Sequence, residues 1–234
     1  MSTFNLSRIT MALLLLGLSA VSGAQEVRYS WLDLSYMNQN FERTGSQVPV
    51  AGQTVDVDGT DGNGVRFRGS LELSKYFYTF VDYGSTDINV SAVVTNDQGV
   101  FPAEDKFDYT TIRGGLGIRV PVAFSADAYA EVSYDSLDLD LGSFALENFD
   151  MGEKGIGGTV GLRSMLNDDL EVRAFARFTN VGDANLDTRE FDTDTLFGIG
   201  IGWELVRGLS IQADYESGEF SSWSVGFRLD LDED

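Results

Sequence analysis

The stretch Ser222-Trp223-Ser224-Val225-Gly226-Phe227-Arg228-Leu229-Asp230-Leu231 alternates without a break. Trp223, Val225, Phe227, Leu229 and Leu231 share one side of an extended chain, and Ser224, Gly226, Arg228 and Asp230 share the other. Successive side chains of a strand point to opposite faces, so a period of two marks a strand with one apolar and one polar face. A helix would scatter the same large apolar residues around its whole circumference.

The pattern continues back through the chain. Leu209, Ile211, Ala213 and Tyr215 alternate with Ser210, Gln212, Asp214 and Glu216. Phe197, Ile199, Ile201 and Trp203 alternate with Gly198, Gly200, Gly202 and Glu204. Val172, Ala174, Ala176 and Phe178 alternate with Glu171, Arg173, Phe175 and Arg177. Ile112, Leu116, Ile118 and Val120 oppose Arg113, Gly115, Gly117 and Arg119, and Val65, Phe67, Leu71 and Leu73 oppose Arg66, Arg68, Ser70 and Glu72. Ten strands are predicted, over 27–38, 63–75, 77–90, 106–120, 127–140, 154–166, 169–181, 193–205, 208–217 and 222–231.

The connections alternate in length. Short ones fall near Lys75-Tyr76, Pro121 to Ala126, Asn167-Asp168 and Val206-Arg207; long ones cover 39–62, 91–105, 141–153 and 182–192. The last, Gly218 to Ser221, is short although its place in the alternation makes it an outer loop. Short turns at one end and long loops at the other describe an up-and-down antiparallel transmembrane β-barrel, with an even strand number returning the C-terminus to the periplasmic side. The expected fold is therefore all-β, a membrane barrel of ten strands.

Composition bounds the chemistry. The 234 residues carry 16 Lys+Arg against 37 Asp+Glu, a net charge of −21, with no His, no Cys and 26 Gly. Without Cys there is no disulfide, thiolate metal site or cysteine nucleophile. Without His there is no Ser-His-Asp triad, His base or His-ligated metal. So acidic a chain is a poor nucleic-acid binder. A mean hydropathy of −0.09 has the look of a soluble protein, but it averages two opposite faces.

Met1 to Ala24 reads as a secretory signal peptide: Arg8 in a short polar lead, an apolar centre at Leu13-Leu14-Leu15-Leu16, then Ser22 and Ala24 at the small positions of a cleavage site. The barrel is expected over 25–231, with an acidic tail at 232–234.

A membrane barrel and a soluble one differ in which face is inside. The charged faces carry Asp33, Arg66, Arg68, Glu72, Asp82, Arg113, Arg119 and Glu131, and further along Arg163, Glu171, Arg173, Arg177, Glu204, Asp214, Glu216 and Arg228. Eight of the thirteen Arg lie there, and the chain has only three Lys. A watery surface more often uses Lys; Arg suits planar ion pairs with little water. The mixed signs point to a lumen filled by Arg–acid pairs, with Gly making room. The opposite face carries Tyr36, Tyr76, Phe77, Tyr134, Trp203, Tyr215 and Trp223 near strand ends, as girdles at the two membrane interfaces. The competing reading is a secreted soluble β-protein.

Ser224, Gly226, Leu229 and Leu231 fit the spacing polar, any, Gly, two any, apolar, any, apolar. This resembles the C-terminal signal by which outer-membrane barrels are recognised for insertion, although the chain ends Asp232-Glu233-Asp234 and not on an aromatic residue. Tyr29-Ser30-Trp31-Leu32-Asp33-Leu34-Ser35-Tyr36 resembles the first strand of small porin-like barrels, and Phe80-Val81-Asp82-Tyr83-Gly84 is similar to a strand of the same group. Over 25–231 the chain resembles the small OmpA-like and OmpX-like outer-membrane barrels. The resemblance implies a Gram-negative outer membrane, lipid and lipopolysaccharide around the barrel, and periplasmic chaperones and insertion machinery as partners. Its best-known members have eight strands, the alternative to ten.

Enzymatic barrels of outer membranes use a His, which this chain lacks. Asp214 and Glu216 lie two apart on one face, about 6.5–7 Å along it, and read as partners of Arg before they read as an acid–base pair. Asp56-Val57-Asp58-Gly59-Thr60-Asp61-Gly62-Asn63 fails as a calcium loop: counted from Asp56, position 5 is Thr60, position 6 is Asp61 and position 12 is Phe67. Acids at Asp87, Asp97, Glu104, Asp105, Glu147, Asp150, Glu153, Asp183, Asp187, Glu190 and Asp192 read as a solvated, repulsive loop surface. No metal or cofactor is expected. The expected function is a structural or surface-interaction barrel with a filled lumen; the alternative is a small cation-preferring diffusion channel.

Overall fold

The computed structural model describes residues 26–40, 46–50, 53–96, 99–123, 125–140, 150–185, 190–218 and 221–231. These form β1 (Trp31–Asn40), β2 (Ser46–Val50), β3 (Gln53–Ser74), β4 (Phe77–Asn96), β5 (Gly99–Ala123), β6 (Ala126–Asp140), β7 (Asp150–Met165), β8 (Leu170–Asn185), β9 (Glu190–Val206), β10 (Leu209–Ser217) and β11 (Ser221–Asp230), with no helix among the described residues. Neighbours pair antiparallel in chain order from β3 to β11. β1 pairs with β11 on one side and with β3 on the other, which closes the sheet. Ten strands thus form a closed antiparallel barrel, and β2 is an additional strand on the far end of β3. Closure removes both sheet edges, the condition for burying a sheet in hydrocarbon.

The ten expected strands are all present, and the structure corrects their ends. β4 and β5 pair from Phe77↔Ile118 out to Asn96↔Gly99, so the expected loop over 91–105 is a continued hairpin. β3 likewise starts at Gln53, inside the expected loop 39–62, and β8 and β9 reach into 182–192. A bilayer needs only about 9–11 residues per strand. β4 and β5 therefore run well past it, and their backbone hydrogen bonds continue where facing no longer matters. The stretch 56–63, which fails as a calcium loop, is extended chain paired with β4. The expected signal peptide and acidic tail lie outside the described residues.

At the other end β9 and β10 join through Arg207-Gly208, where Gly208 has φ of 79°, a conformation that costs glycine little and L side chains much. β1 begins at Trp31, four residues later than expected. Glu26 to Ser30 leave the sheet and turn into the barrel, where Val27 and Tyr29 are buried.

The faces are inverted relative to a soluble barrel. Along β11, Ser224 and Arg228 are buried while Trp223, Val225, Phe227 and Leu229 are exposed. Leu34, Leu116, Val132, Ile156 and Ile199 are also exposed on the outer face, each more than half. Tyr36, Tyr134, Tyr215 and Trp223 stand at the long-hairpin end of this apolar band, and Tyr76, Phe77 and Trp203 at the short-turn end. From Leu231 to Trp223 is about 27 Å along a strand, or about 21 Å of membrane thickness for a tilt near 40°.

Candidate functional site

Everything charged and central lies in the lumen, in three layers. The layer nearest the short turns is built around the N-terminal segment. The Tyr29 ring lies 4.7 Å from the guanidinium carbons of both Arg119 and Arg163. It also tilts against Tyr78 with ring centroids 4.7 Å apart. Val27, Tyr29, Tyr78 and Met165 form a buried apolar cluster, with Phe80 packed on it. Arg119 donates to the Val27 carbonyl at 3.2 Å, to Asp127 at 3.2 Å, to Glu72 at 3.0 Å and to the Lys75 carbonyl at 2.8 Å. Arg163 grips Glu171 through two bonds of 2.9 Å. Glu171 also accepts from Arg228 at 2.9 Å, and Arg228 reaches the Arg28 carbonyl at 3.2 Å and Asp230 at 2.8 Å. Arg28 pairs with Asp230 at 3.1 Å. The segment is thus held by its backbone as well as by Tyr29.

In the middle layer Arg68 joins Asp33 on β1 at 3.2 Å to Asp214 on β10 at 2.7 Å. Asp214 takes Arg173 of β8 as its second partner. In the outer layer Arg66 grips Asp82 through bonds of 2.9 and 2.6 Å and reaches Glu216 at 2.5 Å. Glu216 also accepts from Arg177. Arg113 is held more loosely, at 3.4 Å from Asp135, 3.8 Å from Asp82 and 3.9 Å from Glu131, with a 3.1 Å bond to Thr159. Glu131 accepts from the Tyr78 hydroxyl at 3.0 Å. Most of these groups are more than nine-tenths buried, so their pairing is weakly screened and each charge depends on its partner.

Of the residues singled out from the sequence, Arg66, Arg68, Glu72, Asp82, Arg113, Arg119, Glu131, Glu171, Arg173, Arg177, Asp214 and Arg228 come together in these layers. Glu204 does not join them by an Arg pair among the described contacts: it accepts the Gly208 amide at 3.0 Å and holds the β9–β10 turn. Ser224 and Gly226 face the lumen on β11, and Leu229 and Leu231 face outward. The sequence reading missed Asp127 and Asp135, although they share the parity of Glu131. It missed Tyr29 because an aromatic residue in an alternating run was read as part of the wall. It also missed inward apolar residues near the long-hairpin end, Met37, Ile88, Tyr109, Leu137 and Val181, whose parity contradicts their polarity.

Two cavities flank the outer layer. One is lined by Tyr29, Tyr78, Arg68, Arg173 and Phe175. The other is lined by Met37, Gln39, Tyr109, Leu137 and Asp194. Arg66, Asp82, Arg113, Arg177 and Glu216 line both, so one layer of side chains separates them. No group of three or more acids able to hold a metal occurs among the described residues.

A closed antiparallel barrel with an apolar, aromatic-edged outside and a charged inside is a transmembrane β-barrel. The family model described as outer membrane protein beta-barrel domain matches residues 10–204, and the chain belongs to that family. Its place is accordingly the outer membrane of a Gram-negative bacterium. No curated protein sequence matches the chain. Among solved structures it is similar to the outer membrane protein OprG from Pseudomonas aeruginosa, at 12% identity and a TM-score of 0.47, covering 90% of this chain and 100% of that one. It is similar to the NanC porin at 8% identity and a TM-score of 0.47, covering 86% and 100%. It is also similar to the translocator domain of the autotransporter NalP from Neisseria meningitidis, at 14% identity and a TM-score of 0.46, covering 95% of each.

Proposed function

We propose that this chain is a non-enzymatic outer-membrane barrel whose lumen is closed at rest, serving a structural or surface-interaction role. The observation that carries the reading is the N-terminal segment: Glu26 to Ser30 cross the periplasmic mouth, pinned through Tyr29, the Val27 carbonyl and the Arg28 carbonyl to Arg119, Arg163 and Arg228. A solute entering from the long-hairpin end meets the Arg66–Glu216 layer first and this plug second. The reading includes export by the leader at 1–24, its cleavage, delivery by periplasmic chaperones, and insertion through the terminal signal at Ser224, Gly226, Leu229 and Leu231. It also includes contact with lipid and lipopolysaccharide.

Planar-bilayer recording tests it. Folded wild-type protein should carry no sustained single-channel current. A variant lacking Glu26 to Ser30, or Tyr29→Ala, should show brief openings. Steady wild-type current would overturn the closed reading. A second reading, a narrow cation-preferring channel, is favoured by the two cavities that meet at a single layer; steady cation-selective wild-type current is its signature.

A further inference from the structure

The cavity on the long-hairpin side of the Arg66–Glu216 layer has a composition that filling a lumen does not require. Its walls are apolar: Met37, Tyr109, Leu137 and Val181 are buried there, from four different strands. Its floor is charged, and the cations of that floor are already engaged. Arg66 spends its bonds on Asp82 and Glu216, Arg177 on Glu216, and Arg113 on Thr159 and one oxygen of Asp135.

Acceptors are left over. The Asp135 side chain is 5% exposed, and its Oδ2 has no hydrogen-bond partner among the described residues. Gln39 Oε1 is buried and unpartnered as well. Both residues line this cavity, together with the buried Asp194. Gly157 on β7, opposite Ser133 and diagonal to Asp135, stands where a Cβ would occupy the place of the carboxylate, so the glycine gives the acid its room. A buried, half-paired carboxylate is costly unless a cation completes it. Apolar walls above unfilled acceptors describe a ligand with an apolar body and a charged donor.

We propose that this outer half of the lumen is a binding site for a small organic cation, a primary ammonium on an apolar body. The ammonium donates to the Asp135 carboxylate, and the body packs on Met37, Leu137 and Val181. The Tyr109 ring adds an aromatic face of the kind that attracts ammonium groups. The site does not depend on whether the barrel conducts.

Calorimetric titration of the full barrel, folded in nanodiscs, with phenethylammonium is the test, with phenylacetate as the anionic control. Phenethylammonium should bind and phenylacetate should not. Asp135→Asn should weaken binding roughly tenfold to a hundredfold, as loss of a hydrogen bond to a charged group does. Asp87→Asn, an exposed acid on the outer face of β4, should leave it unchanged. If Asp135→Asn fails to fold, as judged by heat-modifiable gel mobility, Gln39→Leu decides, with the same direction expected. Absence of phenethylammonium binding, equal binding of phenylacetate, or unchanged affinity in the deciding variant would overturn the proposal.

Discussion

Gly226 faces the lumen on β11 where β1 comes so near that a Cβ would collide with the Leu34 carbonyl and the Ser35 backbone. Backbone cannot swing away as a long side chain can. Gly226→Ala should therefore cost about 1–3 kcal/mol of folding free energy, as overpacking does. Gly114→Ala should be near neutral, because its Cβ would stand 3.7 Å from the Phe80 carbonyl. Urea unfolding from lipid vesicles measures both, and equal midpoints would contradict the close approach. The neighbouring pair Arg228 and Leu229 tests the facing. Leu229→Asp puts a charge on the lipid side and breaks the terminal signal, so the folded, heat-modifiable fraction should collapse. Arg228→Ala should be milder, because Glu171 keeps its two bonds to Arg163. Equal losses in assembly would sink the face assignment.

The elements that close the lumen come from distant parts of the chain. Arg66 on β3 meets Glu216 on β10 only because β1 and β11 lie between β3 and β10 in the closed sheet. A double-mutant cycle on Arg66→Ala and Glu216→Ala should give a coupling of at least about 1 kcal/mol, as expected for buried partners in one network. The cycle of Arg66→Ala with Glu204→Ala should give a value near zero, since Glu204 serves the β9–β10 turn. The N-terminal segment is an element of another kind, joined to the end of β11 at Ser30, whose carbonyl accepts from the Leu231 amide at 2.8 Å. Its first two buried residues, Val27 and Tyr29, have the parity of Trp31, Asp33 and Ser35, and all five point inward. That parity was readable in the sequence. Departure from the sheet was not, because nothing local distinguishes a strand's first turn from a segment that bends into a lumen lined by arginines.

For the whole molecule, burial decides how the charge behaves. A surface network weakens as salt rises; pairs inside the barrel lie where counterions hardly reach. The unfolding free energy should therefore change by less than about 0.5 kcal/mol between about 0.1 and 1 M NaCl, and a large loss would show that the pairs are wet. The period of two, the Arg-rich polarity of one face, the aromatic strand ends and the unequal connections were all legible in the chain. Together they determined a closed membrane barrel of ten strands, because alternation is local and follows from the pleat alone. Strand ends beyond the bilayer were less legible, since a hairpin ladder continues on backbone bonds that any side chain permits. The partner of each arginine, the plugging segment and the cavity with its half-paired Asp135 were decided by the tertiary structure. Closure fixes which distant strands stand side by side, and that stagger is a property of the whole sheet that no single strand carries.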